Sequence, residues 1–266
     1  MTASVSTPAA TAGASSVGIL PGFGSLVRRE LVEWRRAHRS WMVLIFSTLF
    51  LTLASLGNWL VSAFPADVTE ATEPPNLDPL MNLVGPISTH VFVIAAIFAV
   101  IALITAERES GTLAWTASKP VSRSAIWMAK FASASAVMVL LAAVLPLAAT
   151  VALVTILYGA VPVTTVAFVA LGMAMIIVVY MAVALAASTV VTSQAAVGAI
   201  TLGVLWFGPM LGGLLPDPTA MPWAILDWSV RLGVGQPASF IAPLSWAVTV
   251  GALIAISLRR MERMEL

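Results

Sequence analysis

Residues Val163 to Ala187 read VTTVAFVALGMAMIIVVYMAVALAA and contain no Asp, Glu, Lys or Arg. A helix rises about 1.5 Å per residue, so about 20 mainly apolar residues cross the roughly 30 Å of hydrocarbon in a bilayer. This run therefore predicts a transmembrane helix. The whole chain agrees, because 60% of its 266 residues are apolar and only 9% are charged, whereas a soluble domain has roughly a quarter of its residues charged.

Segments on both sides of this run meet the same test. The predicted spans are Trp41 to Ser62, Val84 to Ala106, Phe131 to Tyr158, Val163 to Ala187, Ala195 to Leu215 and Phe240 to Leu258. None of them contains Asp, Glu, Lys or Arg. We therefore expect an all-α membrane protein with six transmembrane helices in a single domain over residues 23–266. Residues 1–22, which lack charge and periodicity, are expected to form a disordered tail.

The basic residues lie almost entirely on one side of these spans. Of the 13 Lys and Arg residues, only Arg231 lies on the other side. Lys and Arg accumulate in cytoplasmic loops, so we expect both termini to be cytoplasmic in a multi-pass protein of the cell membrane. The loop from Ala63 to Leu83, which has acids and no base, is then external.

The segment from Phe23 to Arg39 has the pattern of an amphipathic helix that lies on the membrane surface. One face is apolar and carries Phe23, Leu26, Val27, Leu31 and Trp34. The other face is basic and carries Arg28, Arg35, Arg36 and Arg39. A solvated basic segment is the alternative, but the period and the aromatic placement favour an interfacial helix in contact with membrane lipids.

Four further features bear on packing. The external segment from Pro216 to Pro237 is too apolar for a free loop, and we expect a short helical hairpin in the outer leaflet. Pro146 and Pro209 are expected to kink the third and fifth spans, and Trp41, Trp59 and Trp127 are expected in the interfacial aromatic belt. Gly208 and Gly212 form a G-x-x-x-G pattern that allows close helix contact.

No pattern for catalysis or metal binding occurs in the sequence. There is no G-x-S-x-G or H-E-x-x-H motif, no G-x-x-x-x-G-K-[ST] loop for ATP and no Cys. We therefore expect no enzymatic activity, cofactor or metal in this chain. His90 and Asn58 are polar residues within spans and are candidates for a substrate pathway, although hydrogen bonding between helices is the alternative for both.

The loop between the second and third spans reads ERESGTLAWTASKPVSRSAIWMAK from Glu107 to Lys130. Gly111 permits a sharp turn after the charges that end the second span. A short helix from Thr112 to about Ser118 can follow, since Pro120 disfavours helix at the residue before it. Ser122 is placed to cap the next helix. The pattern predicts a stiff elbow between two spans.

This loop resembles that of permease subunits of type-2 ATP-binding-cassette (ABC) exporters, which carry E-x-E-x-G-T-L, then P-[VI]-S-R, then Lys. The matching residues are Glu107, Glu109, Gly111, Thr112, Leu113, Pro120, Val121, Ser122, Arg123 and Lys130, with Arg108 between the two acids. The resemblance implies that the elbow is a cytoplasmic coupling helix seated in a separate ABC ATPase. Two copies of that ATPase would bind ATP and Mg²⁺, and a second permease copy or a paralogue would complete the pathway.

Other functions remain open at this point. A non-transporting membrane anchor or assembly factor would have no ATPase partner and would tolerate changes in the loop. A secondary transporter is disfavoured, because ion-driven transport ordinarily needs a carboxylate within the bilayer. Apolar walls favour an amphiphile, lipid-like molecule, peptide or drug over a small ion as the cargo, and we expect no nucleic-acid partner.

Overall fold

The computed structural model describes residues 22–63, 78–112 and 121–263, and within these ranges the chain is helical without a β-strand. The helices are α1 Phe23–Arg36, α2 His38–Ala63, α3 Pro79–Ser88, α4 Val93–Val100, α5 Ala102–Glu109, α6 Arg123–Met138, α7 Leu145–Leu157, α8 Val163–Val190, α9 Gln194–Gly212, α10 Ile225–Gly233 and α11 Ile241–Arg263. A π-helical turn, Val139–Val144, joins α6 to α7, and 3₁₀ turns at Pro218–Ala220 and Pro222–Ala224 precede α10. The predicted tail lies outside the described residues, apart from Gly22.

Six helical segments of the described chain are long and apolar enough to cross a membrane. These first to sixth spans are His38–Gly57, Pro79–Glu107, Arg123–Leu157, Val163–Val190, Gln194–Gly212 and Ile241–Arg263. They overlap the six predicted segments, so the predicted all-α fold with six spans is confirmed. The second span begins earlier than predicted, because the Asp78 side chain caps α3 by accepting a hydrogen bond from the Leu80 amide at 2.9 Å.

The second span is interrupted near its middle. α3 ends at Ser88 and α4 begins at Val93, and between them His90 has a φ of 56°, which is uncommon for any residue other than glycine. The hydroxyl of Ser47 in the first span donates to the Phe92 carbonyl at 3.3 Å. Local hydrogen bonds close the break itself, from the His90 amide to the Ile87 carbonyl and from the Val93 amide to the His90 carbonyl, both at 3.0 Å. The sequence predicted an unbroken span here.

The third span changes its hydrogen-bonding pattern just before a proline. The π-helical turn Val139–Val144 precedes Pro146, which lies in the first turn of α7. Proline lacks an N–H, and its ring clashes with the carbonyl four residues earlier in a regular helix. The wider turn accommodates that ring. The irregularity predicted at Pro146 therefore takes the form of a π-helical turn.

The fourth span lies at the centre of the bundle. Its residues Met173, Ile176, Ile177 and Leu185 are fully buried, and α4, α6, α9, α10 and α11 all pack on it. The sixth span is peripheral, since 17% of its apolar 18-residue stretch is buried inside the chain, compared with 50% of that in the fourth span. The outer spans therefore present apolar faces outwards, as expected for a protein in contact with lipid.

The segment between the fifth and sixth spans packs on the bundle. Its only α-helix among the described residues is α10, preceded by two 3₁₀ turns. The short helical hairpin in the outer leaflet stays a prediction. A Cβ on Gly172 of the fourth span would overlap Ser229 Oγ of α10. A Cβ on Gly208 would lie 3.0 Å from the Trp223 ring. Glycines thus make room for this segment, and packing on the bundle explains its apolar side chains.

Trp127 does not lie in an exposed aromatic belt, so that prediction is wrong. Its side chain is fully buried and stacks on Phe131 with the ring centroids 5.3 Å apart. The reason is that α1 and α11 both pack on α6 and enclose the residue within the chain. Trp41, at the start of the first span, is 62% exposed.

Candidate functional site

The structure describes both ends of the loop between the second and third spans, up to Thr112 and from Val121 onward. Leu113, Pro120 and nearly all of the predicted coupling helix lie outside the described residues, as does the side chain of Arg108, so this helix stays a prediction. Gly111 has a φ of 72°, a left-handed conformation that glycine adopts without steric cost. The turn predicted after the second span is therefore present.

Lys130 lies at the centre of a buried ion cluster. Its Nζ is 2.8 Å from Glu107 Oε1 and 3.1 Å from Glu30 Oε1. The side chains of Lys130 and Glu30 are only 3% and 8% exposed. These three residues, named the ion cluster below, join α5, α6 and α1. Two residues of the loop motif thus meet each other and a third residue from outside that motif.

Burial makes the members of the ion cluster depend on one another. Removing an ion from water costs several kcal/mol, and close opposite charges and hydrogen bonds must offset that cost. The cluster holds one cation and two anions, and no other cation forms a salt bridge with these two acids in the described chain. Lys130 is therefore the member on which both acids rely.

α1 packs along the start of the third span and buries Trp34 completely. The face of α1 that was predicted to be apolar is only partly buried, because Leu31 on that face is 40% exposed. Phe23, Leu26 and Val27 are half-buried. On the other face Arg28, Arg35 and Arg36 are exposed. The predicted helix is present, but it ends at Arg36, where the extended residue Ala37 separates it from α2.

No sequence motif includes Glu30, although its helical spacing from apolar residues indicated a buried position. It lies one helical turn after Leu26 and one before Trp34, so it is on the apolar side of α1. A buried carboxylate needs a charged or hydrogen-bonding partner. Lys130, already noted at the entrance to the third span, is that partner.

Two further sets of contacts tie the loop ends to other spans. The Ser124 hydroxyl donates to Glu262 Oε1 of α11 at 2.9 Å, and Arg123 Nη1 donates to the Glu262 carbonyl at 3.4 Å. Gln194 Nε2 of α9 donates to Glu109 Oε2 at 3.3 Å. These contacts are exposed and individually weak, and no sequence pattern marked Glu262 or Gln194. They bring α1, both loop ends, the start of α9 and the end of α11 to one side of the bundle, named the basic face below.

The start of α6 is formed as predicted. The Ser122 side chain accepts a hydrogen bond from the Ala125 amide at 3.0 Å, so the predicted helix cap is confirmed. The neighbouring Val121 contacts Gly22, which has a φ of 82°, and a Cβ on Gly22 would overlap Val121 Cγ1. The start of α1 is thus held directly against the end of the loop.

His90 lies inside the chain, at the break in the second span, and is 7% exposed. Its ring centroid is 6.4 Å from that of Tyr180 in the fourth span, and its imidazole has no hydrogen bond within the described residues. The side chain of Asn58 lies outside the residues that can be described. His90 is therefore a core residue of this chain, and its place in a substrate pathway stays a prediction.

Among the described residues, no group of three or more His, Cys, Asp or Glu side chains could hold a metal ion. Comparison with protein families matches residues 31–261 to the family described as ABC-2 family transporter protein. The matched region includes the first five spans, the sixth as far as Met261, Glu107 and Lys130, and it begins directly after Glu30. Comparison with curated proteins finds no match.

Proposed function

Because this chain belongs to the ABC-2 family of transporter proteins, and is thus a multi-pass membrane permease of an ABC transporter, we propose that it is the permease of an exporter driven by a separate cytoplasmic ATPase. Two copies of this chain, or the chain and a paralogue, enclose the pathway in the cell membrane. Two copies of the ATPase bind ATP and Mg²⁺, and the permease itself carries out no bond chemistry. The basic face, which holds both described ends of the chain, is cytoplasmic.

The ion cluster is the observation that carries this proposal. A loop moves the spans it joins only if its ends are firmly attached to them. Glu107 and Lys130 attach the two ends to each other at 2.8 Å, and Glu30 attaches both to α1. Closure of the ATPases displaces the loop, and the cluster passes that displacement to both spans and to α1 together.

The cargo is proposed to be an amphiphile. Between the ion cluster and the opposite face, the spans carry no Asp, Glu, Lys or Arg, so their walls suit a lipid-like molecule, a peptide or an apolar drug better than a small ion. Such a molecule enters from the cytoplasm or the inner leaflet between two permease copies.

The first test is purification of the tagged protein in a mild detergent. A cytoplasmic ATPase should copurify in stoichiometric amount. Its absence, under conditions that keep other ABC complexes together, would contradict the proposal and favour a non-transporting membrane anchor.

The second test separates coupling from folding. In vesicles that contain permease and ATPase, Gly111→Pro and Glu107→Arg are expected to uncouple ATP hydrolysis from transport of fluorescent amphiphiles while membrane insertion stays intact. The matched control is Asp227→Asn, which breaks an exposed ion pair with Arg231 in α10, away from the basic face. Unchanged transport in both loop variants would show that the loop has no coupling role.

A further inference from the structure

A groove opens on the outer surface of the first two spans, next to the basic face. It has a volume of about 360 Å³, and its lining includes Arg39, Met42, Phe46, Ile94, Ala95 and Phe98. Arg39 is the only polar residue of the lining, and Met42 and Phe98 are 70% and 62% exposed. We name it the Arg39 groove. It is an apolar channel with one cation at the end where the first span begins.

Arg39 is held in place but lacks an anionic partner. Its guanidinium lies over the Trp34 ring, 4.2 Å from the ring centroid. Its Nε is buried without a hydrogen-bond partner in the described chain, and no carboxylate there forms an ion pair with it. Leaving a charged donor buried and unpaired is costly. The side chain is therefore suited to a ligand that brings oxygen acceptors.

We propose that the Arg39 groove binds an anionic phospholipid from the leaflet at the basic face. The planar donors of Arg39 receive the phosphate oxygens, a geometry that guanidinium groups favour. One acyl chain lies along Met42, Phe46 and Phe98. Arg39 is in the first turn of α2, so the cation and the apolar channel follow the order of headgroup and acyl chain in a leaflet. This lipid site goes beyond the transport function and does not depend on it.

Charge complementarity selects this occupant over a second copy of the chain. A second copy that covered the groove would have to bring a carboxylate to Arg39, whereas every phospholipid carries a phosphate. Anionic lipids also concentrate near clusters of basic residues at the membrane surface, and Arg35 and Arg36 are exposed close by.

Native mass spectrometry of the full-length purified protein tests whether the groove prefers a lipid with an anionic headgroup. Palmitoyl-oleoyl phosphatidylglycerol is titrated against phosphatidylcholine with the same acyl chains. The phosphatidylglycerol is expected to bind more tightly, and Arg39→Gln is expected to weaken its binding about tenfold through loss of a charge-assisted hydrogen bond. The matched control is Arg260→Gln, which removes an exposed cation of α11 outside the groove and should leave binding unchanged. Equal affinity of Arg39→Gln and the natural chain would overturn the proposal.

A second pair of variants tests the shape of the groove and leaves Arg39 in place. Ala95→Trp fills the groove and is expected to abolish phosphatidylglycerol binding even if Arg39→Gln fails to fold. The matched control is Gly251→Trp, which adds the same ring on the sixth span, where a Cβ would meet open space. Retained binding in Ala95→Trp would overturn the acyl-chain assignment.

The absence of Cys from the chain allows a third test in liposomes that contain brominated lipids. With Phe98→Cys as the only thiol, a fluorophore at this position is expected to be quenched by brominated phosphatidylglycerol more strongly than by brominated phosphatidylcholine. Efficient disulfide formation between two copies would show that a second copy covers the groove, which would overturn the proposal.

Discussion

Replacing Lys130 by Met is expected to destabilise the protein far more than breaking an exposed ion pair. The change leaves the buried Glu30 and the half-buried Glu107 without their cation, whose Nζ lies 3.1 and 2.8 Å from their carboxylate oxygens. Met is unbranched and fills much of the same space. The effect therefore reports the loss of charge more than the loss of packing.

The magnitude follows from the distances and the burial. With an effective dielectric constant of about 20, unit charges 2.8 or 3.1 Å apart attract each other by about 5 to 6 kcal/mol. In the intact cluster, desolvation costs of several kcal/mol per ion offset much of this attraction. When one partner is removed the desolvation cost remains, and the measured penalty for breaking such a pair is about 3 to 5 kcal/mol.

Thermal unfolding in detergent, followed by size-exclusion chromatography, measures this effect. The matched control is Arg231→Met, which breaks an ion pair with Asp227 at 2.7 Å between side chains that are 51% and 58% exposed. Exposed pairs are worth about 0.2 to 1 kcal/mol, so the control should unfold near the temperature of the natural chain.

A double variant checks the cause of the loss. Adding Glu30→Gln to Lys130→Met removes one of the two unpaired carboxylates, and it should restore part of the lost stability. The reasoning would be refuted if Lys130→Met unfolded at the temperature of Arg231→Met, or if the double variant were no more stable than Lys130→Met alone.

Three further predictions concern packing, capping and backbone conformation. Gly172→Ala is expected to destabilise the protein by about 1 to 3 kcal/mol, because the new methyl overlaps Ser229; Gly203→Ala, in open space, should have no such effect in the same thermal assay. Ser122→Ala should cost about 1 kcal/mol by removing the cap of α6, and Ser122→Asp, which keeps an acceptor, should not. His90→Gly should unfold at a higher temperature than His90→Ala, since both remove the ring but only Gly adopts a φ of 56° without strain; the opposite order would rule out strain at this position.

The six spans could be predicted from the sequence because membrane insertion depends on length and apolarity, and both are local properties of the chain. The break at His90 could not be predicted. Nothing in the neighbouring residues requires a left-handed conformation, and the hydrogen bond from Ser47 to the Phe92 carbonyl joins residues 45 apart in the chain. The prediction for Trp127 was wrong for a similar reason, because the burial of its side chain depends on α1 and α11 packing around α6.

The candidate site was predictable in part. Glu107 and Lys130 belong to a motif and were identified, but their contact with each other required the fold. Glu30 belongs to no motif, and its partner Lys130 lies 100 residues away in the chain, so their contact required the fold. The Ser122 cap was predicted correctly because capping depends on a side chain and the amides that directly follow it.

The irregularities in the second and third spans lie at matching distances from the loop. From Glu109 to Val93, and from Arg123 to Val139, each span extends about 24 Å at about 1.5 Å per residue. α4 joins α5 through Ile101, which keeps helical dihedral angles, and α4 contacts the π-helical turn of the third span. The two half-helices that adjoin the loop are therefore of equal length. The ion cluster joins them near their loop ends, and α4 meets the π-helical turn at their other ends.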